Sequence, residues 1–180
     1  CTVEMLKQRT AGDKNWPIAC GRTMLGNNVT EELDLSGAHL SYGDFEEATF
    51  RATRSIKLSG ANLANANLSG STLSVAALDS DGANATINLK GANLAHADLS
   101  GSTLAAEGGA YGNINFKSAD LANADLSGST LSAKGVEKDG KIDFSAAHLT
   151  NADLSGSTLA AEGGNDGKIA FYERYAYADL

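Results

Sequence analysis

The sequence is poor in aromatic residues and in proline, and it has no long hydrophobic run. Aromatic residues make up 6% of the 180 residues and proline occurs once, whereas glycine occurs 20 times. An ordinary globular core uses more large side chains than this. The longest apolar runs span about four residues, which excludes a transmembrane helix. We therefore expect a thin, repetitive core of small residues.

Positive charge is also scarce. The 14 Lys and Arg residues against 22 Asp and Glu residues give a net charge of −8, so the chain as a whole offers no basic surface for nucleic acid or anionic lipid. With 20% charged and 42% hydrophobic residues, the composition is neither that of a disordered chain nor that of a membrane protein. The length corresponds to a single domain.

Only two cysteines occur, Cys1 and Cys20, and they form neither a CxxC motif nor a Cys/His cluster with zinc spacing. A Cys1–Cys20 disulfide, which we predict, implies an oxidising compartment. Two alternatives stay open: a lipid on Cys1, as bacterial lipoprotein processing leaves it, or two reduced thiols in the cytosol. Because the chain begins with Cys rather than Met, we expect that an upstream segment has been removed.

The sequence repeats at two periods. The string Leu-Ser-Gly-Ser-Thr-Leu recurs four times, and within each copy large apolar residues lie five apart, as in Leu58, Leu63, Leu68 and Leu73. A period of five fits neither a helix face nor an alternating strand. It fits a chain that turns a corner every five residues, with the apolar residues pointing inward.

A small residue stands two positions before most of these centres, as in Ala61-Asn62-Leu63 and Ala97-Asp98-Leu99. Over residues 33–180 the sequence resembles the pentapeptide-repeat family, whose motif is A-(D/N)-L-x-x. This resemblance implies an all-β fold, a right-handed quadrilateral β-helix with four pentapeptides in each coil. The grouping of the repeats indicates about six coils.

Each of the four predicted faces carries its own column of residues. On the first face an internal ladder of Leu33 and the isoleucines Ile56, Ile87, Ile114, Ile142 and Ile169 predicts the best-formed strands. At the corner between the fourth and first faces, every coil has inserted residues rich in Gly, Asp and Lys, which predict a loop. The insertions are residues 51–55, 74–86, 105–113, 132–141 and 160–168. Insertions stacked at one corner are either a binding edge or a tolerated surface elaboration.

The two ends differ from the repeats. Residues 1–32 lack the motif and are predicted to form an N-terminal cap with a short helix around Val3–Arg9, and residues 33–180 to form the β-helix. Near the other end stand Tyr172, Tyr175 and Tyr177. Either these tyrosines close the solenoid, or further residues follow, or another chain caps it.

No catalytic, cofactor-binding or metal-binding residues are predicted, because a narrow β-helix filled by its own side chains offers no internal pocket. The candidates for an interaction surface are the outward aspartates Asp98, Asp125 and Asp153, residues of the insertions, and the terminal tyrosines. A local hydrogen bond to the backbone is the alternative explanation for the aspartates. The remaining candidates are Glu107, Tyr111, Glu162, Tyr172, Tyr175 and Tyr177.

Two functions fit the sequence. The first is a non-catalytic, exported scaffold that binds a protein partner within a larger assembly, in the periplasm, the thylakoid lumen or outside the cell. The resemblance supports it, since the family is abundant in cyanobacteria and occurs in thylakoid lumens. In this interpretation the chain contacts a membrane only through its partner or through a lipid on Cys1. The alternative is a cytosolic protein that imitates DNA and inhibits or protects a type II topoisomerase.

Overall fold

A computed structural model describes residues 1–8, 18–26, 30–77, 83–163 and 167–171. These residues form one helix, α1 (Val3–Gln8), and twelve short strands. The strands are β1 (Met24–Gly26), β2 (Glu32–Asp34), β3 (Thr49–Ala52), β4 (Ser55–Lys57), β5 (Thr72–Ala77), β6 (Ala85–Asn88), β7 (Thr103–Gly108), β8 (Gly112–Asn115), β9 (Thr130–Lys134), β10 (Lys141–Asp143), β11 (Thr158–Glu162) and β12 (Lys168–Ala170).

The strands build two parallel six-stranded sheets on two sides of a prism. Sheet I, the first face, contains the even-numbered strands β2 to β12, and sheet II, the fourth face, contains the odd-numbered strands β1 to β11. The second and third faces are held by single parallel bridges such as His39–Asn62 and Asp44–Asn67. The predicted four-sided solenoid is therefore confirmed, with five complete coils and a sixth that begins at β12.

Tight turns at the corners explain the period of five. At one corner the Ala61 N–H donates to the Leu58 carbonyl at 3.1 Å, and Gly60 has a φ of 64°. This is the geometry of a turn with a left-handed third residue, which favours Gly or Asn. Three residues on a side and two in the turn make one unit of five.

Large apolar side chains stack in register inside the prism. Leu33 pairs with Ile56 and Ile56 with Ile87, and all three are buried. The predicted ladder of the first face is thus confirmed. The expectation that this face has the best-formed strands is wrong. In sheet II, β5 and β7 span 6 residues each, whereas β6 and β8, the longest strands of sheet I, span 4.

The strands of sheet II are longer because the alternation of buried and outward residues continues into the insertions. Val75, Ala106 and Ala133 lie two residues beyond the last Leu of their coils, and each is at most 1% exposed. Their small side chains extend the core past the corner. The inserted segments are present at that corner, as predicted, and their first residues belong to the sheet.

Further hydrogen bonds stack the insertions on one another. The Ala85 N–H donates to the Tyr111 carbonyl at 2.9 Å, the Val136 N–H to the Gly109 carbonyl at 2.9 Å and the Lys168 N–H to the Gly140 carbonyl at 3.0 Å. We call the five inserted segments, residues 51–55, 74–86, 105–113, 132–141 and 160–168, the corner ridge. Its described residues form an ordered edge of the prism.

The N-terminal residues contact the first coil. The predicted helix is confirmed as α1, within which Leu6 is 1% exposed and packs into the core. A disulfide joins Cys1 to the buried Cys20. Strand β1 pairs with β3, so sheet II begins in a stretch without the five-residue motif. Whether residues 1–32 form a separate cap stays a prediction. In the described part of the chain, no helix is long and apolar enough to cross a membrane.

Candidate interaction surfaces

The three candidate aspartates of the third face lie in register. Asp98 forms a bridge with Asp125, and Asp125 forms one with Asp153. Each Oδ1 accepts a hydrogen bond from the backbone N–H two residues later, at 2.8 to 2.9 Å. For Asp153 this bond from the Ser155 N–H lowers the carboxyl pKa below its ordinary value.

The same local bond occurs on three faces of the prism. Twelve outward Asn or Asp residues accept the N–H of the residue two positions later: Asp34, Asp44, Asn62, Asn67, Asn88, Asn93, Asp98, Asn115, Asp120, Asp125, Asp143 and Asp153. A side-chain oxygen that satisfies a turn N–H explains why this position is Asn or Asp. An interaction role for Asp98, Asp125 and Asp153 stays a prediction.

The second and third faces together form an acidic half of the prism. In residues 38–49, 61–72, 92–103, 119–130 and 147–158 there is no Lys or Arg, whereas seven Asp or Glu residues and all three histidines occur there. The seven are Asp44, Glu46, Glu47, Asp98, Asp120, Asp125 and Asp153. The net charge of the chain is therefore distributed unevenly around the prism.

His148 takes the outward position that Asp120 and several Asn residues occupy in other coils. Its Nδ1 lies 3.1 Å from Asp120 Oδ1, and its Nε2 lies 2.9 Å from Thr150 Oγ1. The order carboxylate, imidazole, hydroxyl is that of a nucleophilic triad. The side chains of His148 and Asp120 are 62% and 46% exposed, however, and an activated nucleophile needs a water-excluded site. We interpret the group as part of the polar surface.

The two candidate glutamates of the corner ridge are brought together by a lysine between them. Glu107 pairs with Lys134 across β7 and β9, and Lys134 pairs with Glu162 across β9 and β11. Lys134 Nζ lies 3.9 Å from Glu162 Oε2, and Ser132 Oγ donates to Glu107 Oε1 at 3.1 Å. Exposed pairs of this kind contribute little to stability. They give the border of sheet II an alternating charge pattern.

The candidate Tyr111 lies on the corner ridge beside Lys138. Lys138 Nζ donates a hydrogen bond to the Tyr111 hydroxyl at 2.7 Å, and it lies 4.7 Å from the centroid of the ring. The hydrogen bond raises the pKa of Lys138 above its ordinary value. Val136 is 60% exposed in the same segment. Tyr172, Tyr175 and Tyr177 lie outside the described residues.

The breadth of the outer surface of sheet II was not predicted from the sequence. Beside the threonine column (Thr49, Thr72, Thr103, Thr130, Thr158) runs a second outward column of Arg51, Ser74, Ala105, Ser132 and Ala160. The signal was present, because the sequence from Thr72 to Ala77 alternates with a period of two. The Gly-rich residues of the same insertions predicted a loop, so the strand was not expected there.

The comparisons with known proteins agree with this repeat geometry. The family model "Pentapeptide repeats" matches residues 55–80 and 87–105 in eight copies. The matched residues are therefore pentapeptide repeats, and the chain has the fold that such repeats form. Comparison with curated proteins finds no match.

The solved structures that resemble this chain include the following two. One is a pentapeptide repeat protein, Rfr23, from the cyanobacterium Cyanothece 51142, with 19% identity, a TM-score of 0.30 and coverage of 79% of this chain and 84% of that one. The other is QnrB1, a plasmid-mediated fluoroquinolone resistance protein, with 17% identity, a TM-score of 0.15 and coverage of 79% and 90%. Likenesses this weak say nothing about function.

Proposed function

We propose that this protein is a non-catalytic scaffold of an oxidising compartment, the periplasm, the thylakoid lumen or the extracellular space. It binds a protein partner through the outer face of sheet II. The observation that carries the proposal is the continuation of sheet II into the corner ridge. This continuation adds a second outward column to the threonine column, and apart from Arg51 both columns consist of small side chains.

Small outward side chains suit a protein interface. Thr103 and Ala105 lose little rotamer freedom when a partner covers them, so contact costs little side-chain entropy. The six strands, spaced about 4.8 Å apart and three to six residues long, cover roughly 450 Å². A standard interface buries about 800 Å² on each partner. The partner must therefore also contact the corner ridge, where Tyr111 and Val136 are exposed.

The Cys1–Cys20 disulfide supports the proposal that the protein works in an oxidising compartment. Structural disulfides form and persist in oxidising environments and are rare in the cytosol. Cys20 is buried and Cys1 is exposed, so the bridge ties the outer N-terminus to the core, as a structural disulfide does.

A matched pair of surface variants tests the proposed face. The Ala105→Arg variant places a large cation in the centre of sheet II, and Ala122→Arg places the same side chain at the corner between the second and third faces. Cross-linking in the native source, followed by purification of each tagged variant, should recover the same partner with the wild type and with Ala122→Arg. We expect Ala105→Arg to recover less than a tenth as much. Equal recovery by both variants would disprove binding through sheet II.

The acidic half favours a second candidate function, imitation of DNA towards a type II topoisomerase. Seven carboxylates lie along five coils, and each coil rises by about 4.8 Å. This gives roughly one charge per 3.4 Å along the axis of the solenoid. This equals the charge density of one DNA strand, and a duplex carries one charge per about 1.7 Å. The acidic half therefore carries about half the charge density of a duplex. For this reason, imitation of DNA is the second candidate function. A gyrase supercoiling assay that excess protein leaves unchanged would eliminate it.

A further inference from the structure

A depression of about 390 Å³ interrupts the outer face of sheet I. It lies where the insertion of the first coil, residues 51–55, is followed by the much longer insertion of the second coil, residues 74–86. Strands β2, β4 and β6 form its floor, Arg54 stands on one side, and Ala83 and Asn84 stand on the other. The step between a short and a long insertion thus accompanies a concave site on the prism.

Two of the three charged side chains that line this depression, Glu32 and Lys57, pair with each other, and Arg54 is the third. Lys57 Nζ donates to Glu32 Oε2 at 2.7 Å, and the buried Ser55 donates its hydroxyl to Glu32 Oε1 at 3.3 Å. The hydrogen bond from Lys57 lowers the pKa of the Glu32 carboxyl, so both groups of the pair are charged at neutral pH. A ligand anion would have to compete with Glu32 for Lys57. The pair instead offers an acceptor and a donor to a neutral ligand.

Three polar side chains complete the lining. Asn88 Oδ1 accepts a hydrogen bond from the Lys90 N–H at 3.1 Å, and this bond fixes the orientation of the side-chain amide. Asn88 can therefore offer its Nδ2 donors to a ligand. Within the described ranges, Nδ2 of Asn88, the hydroxyl of Thr86 and the side-chain amide of Asn84 make no hydrogen bond to the protein. The lining therefore offers both hydrogen-bond donors and acceptors.

We propose that this depression binds a neutral, hydroxyl-rich ligand of the size of one sugar ring. Hydroxyls of one ring can donate to the Glu32 carboxylate and accept from Asn88 Nδ2, and Thr86 and Asn84 can each donate and accept. The volume lies at the lower end of the range for small-molecule sites. The aliphatic stem of Lys57 and the methyl group of Ala83 supply apolar contact for the C–H face of a ring.

The probes are methyl α-D-glucopyranoside, methyl α-D-mannopyranoside and N-acetylglucosamine, each titrated separately into isotopically labelled full-length protein. Sodium phosphate and sodium acetate are titrated in parallel. We expect at least one sugar to shift the backbone amide resonances of Asn84, Thr86 and Asn88 saturably, and both anions to leave them unchanged. If no sugar gives saturable shifts there, or if an anion does so in place of the sugars, the proposal is wrong.

The variants Asn88→Asp and Thr86→Val test whether the resonance shifts come from sugar bound in the depression. Neither substitution should disturb the fold. Aspartate keeps the turn hydrogen bond, as Asp143 does at the same position of its own coil, but removes the Nδ2 donors and adds a negative charge. We expect each variant to weaken sugar binding at least tenfold. Asn115→Asp, one coil further along the same column and outside the depression, should bind like the wild type. Equal affinity of Asn88→Asp and Asn115→Asp would overturn the assignment.

Discussion

Lys141 and Asp143 form a short ion pair on the outer face of sheet I. Lys141 Nζ donates to Asp143 Oδ2 at 2.6 Å, and the Asp143 side chain is only 11% exposed. Burial raises the pKa of Asp143, but hydrogen bonds from Lys141, the Ser145 hydroxyl and the Ser145 N–H outweigh it and lower the pKa to about 2. The carboxylate form of Asp143 therefore stabilises the folded state.

This pair predicts a loss of stability in acid. An unfolded Asp titrates near pH 3.9, so between about pH 4 and pH 2 the unfolded chain binds more protons than the folded one. The contribution of Asp143, on the order of 2 kcal/mol, is complete above pH 5 and disappears as the pH falls through this window. Urea unfolding of Asp143→Asn at pH 7, 4 and 2.5 should show a shallower pH dependence than the wild type. Parallel curves would contradict the role of Asp143.

Three buried serines of the fourth face are predicted to be replaceable. Ser71, Ser102 and Ser129 are 1% exposed, and within the described residues their hydroxyls have no hydrogen-bond partner. A buried hydroxyl without a partner costs about 1 kcal/mol or more. Because Ala48 occupies the same position in the first coil, Ser102→Ala should leave the free energy of unfolding unchanged or raise it by about 1 kcal/mol.

Ser157 is the matched control for this prediction. Its hydroxyl donates to the Leu154 carbonyl at 2.6 Å, so Ser157→Ala should lower the stability by about 1 kcal/mol. Chemical denaturation of both variants gives the comparison. Destabilisation of Ser102→Ala as large as that of Ser157→Ala would show that the Ser102 hydroxyl is bonded in solution.

The corner ridge depends on glycines at close contacts. A Cβ at Gly140 would overlap the carbonyl oxygen of Ala133, whereas a Cβ at Gly128 would have no atom within 4 Å. Gly140→Ala should cost about 3 kcal/mol or more because backbone has to move. Gly128→Ala carries only the penalty of its left-handed φ of 63°, about 1 kcal/mol. Equal thermal unfolding of the two variants would mean that the ridge is not packed as described.

Reduction of the disulfide should destabilise the N-terminal end. Cys1 and Cys20 are 19 residues apart, and closing a loop of that size contributes roughly 3 kcal/mol in the chain-entropy model. Helix α1 has 6 residues, too few to be stable alone, and contacts the core through Leu6. Hydrogen exchange with and without reductant should show loss of protection first in residues 3–8 and 18–26. Unchanged protection in both segments would contradict this role.

The sequence predicted those features that depend on local spacing. Leu58, Leu63, Leu68 and Leu73 lie five apart, and this spacing alone is enough to predict a corner every five residues. The turn role of Asp98 was also predicted, because an Asx side chain bonds its own backbone in any context. Such features need no knowledge of distant contacts.

Other features depend on what neighbouring coils supply. Val75 and Ala106 lie in insertions that predict a loop, where a short alternation is a weak strand signal, and pairing of β5 with β7 makes them part of the core. Strand β1 carries no motif and exists because β3 lies beside it. The depression beside Asn88 depends on the difference in length between two insertions. The sequence does not specify how far each insertion rises above the sheet.

Native mass spectrometry of the protein, purified from its source under mild conditions and measured with and without reduction, tests the proposed scaffold most directly. The expected result is a complex heavier than the 18.5 kDa chain. Its released subunit should be lighter by two hydrogens than the fully reduced chain and should regain them on reduction. A monomer with two free thiols would contradict both the oxidising compartment and the assembly.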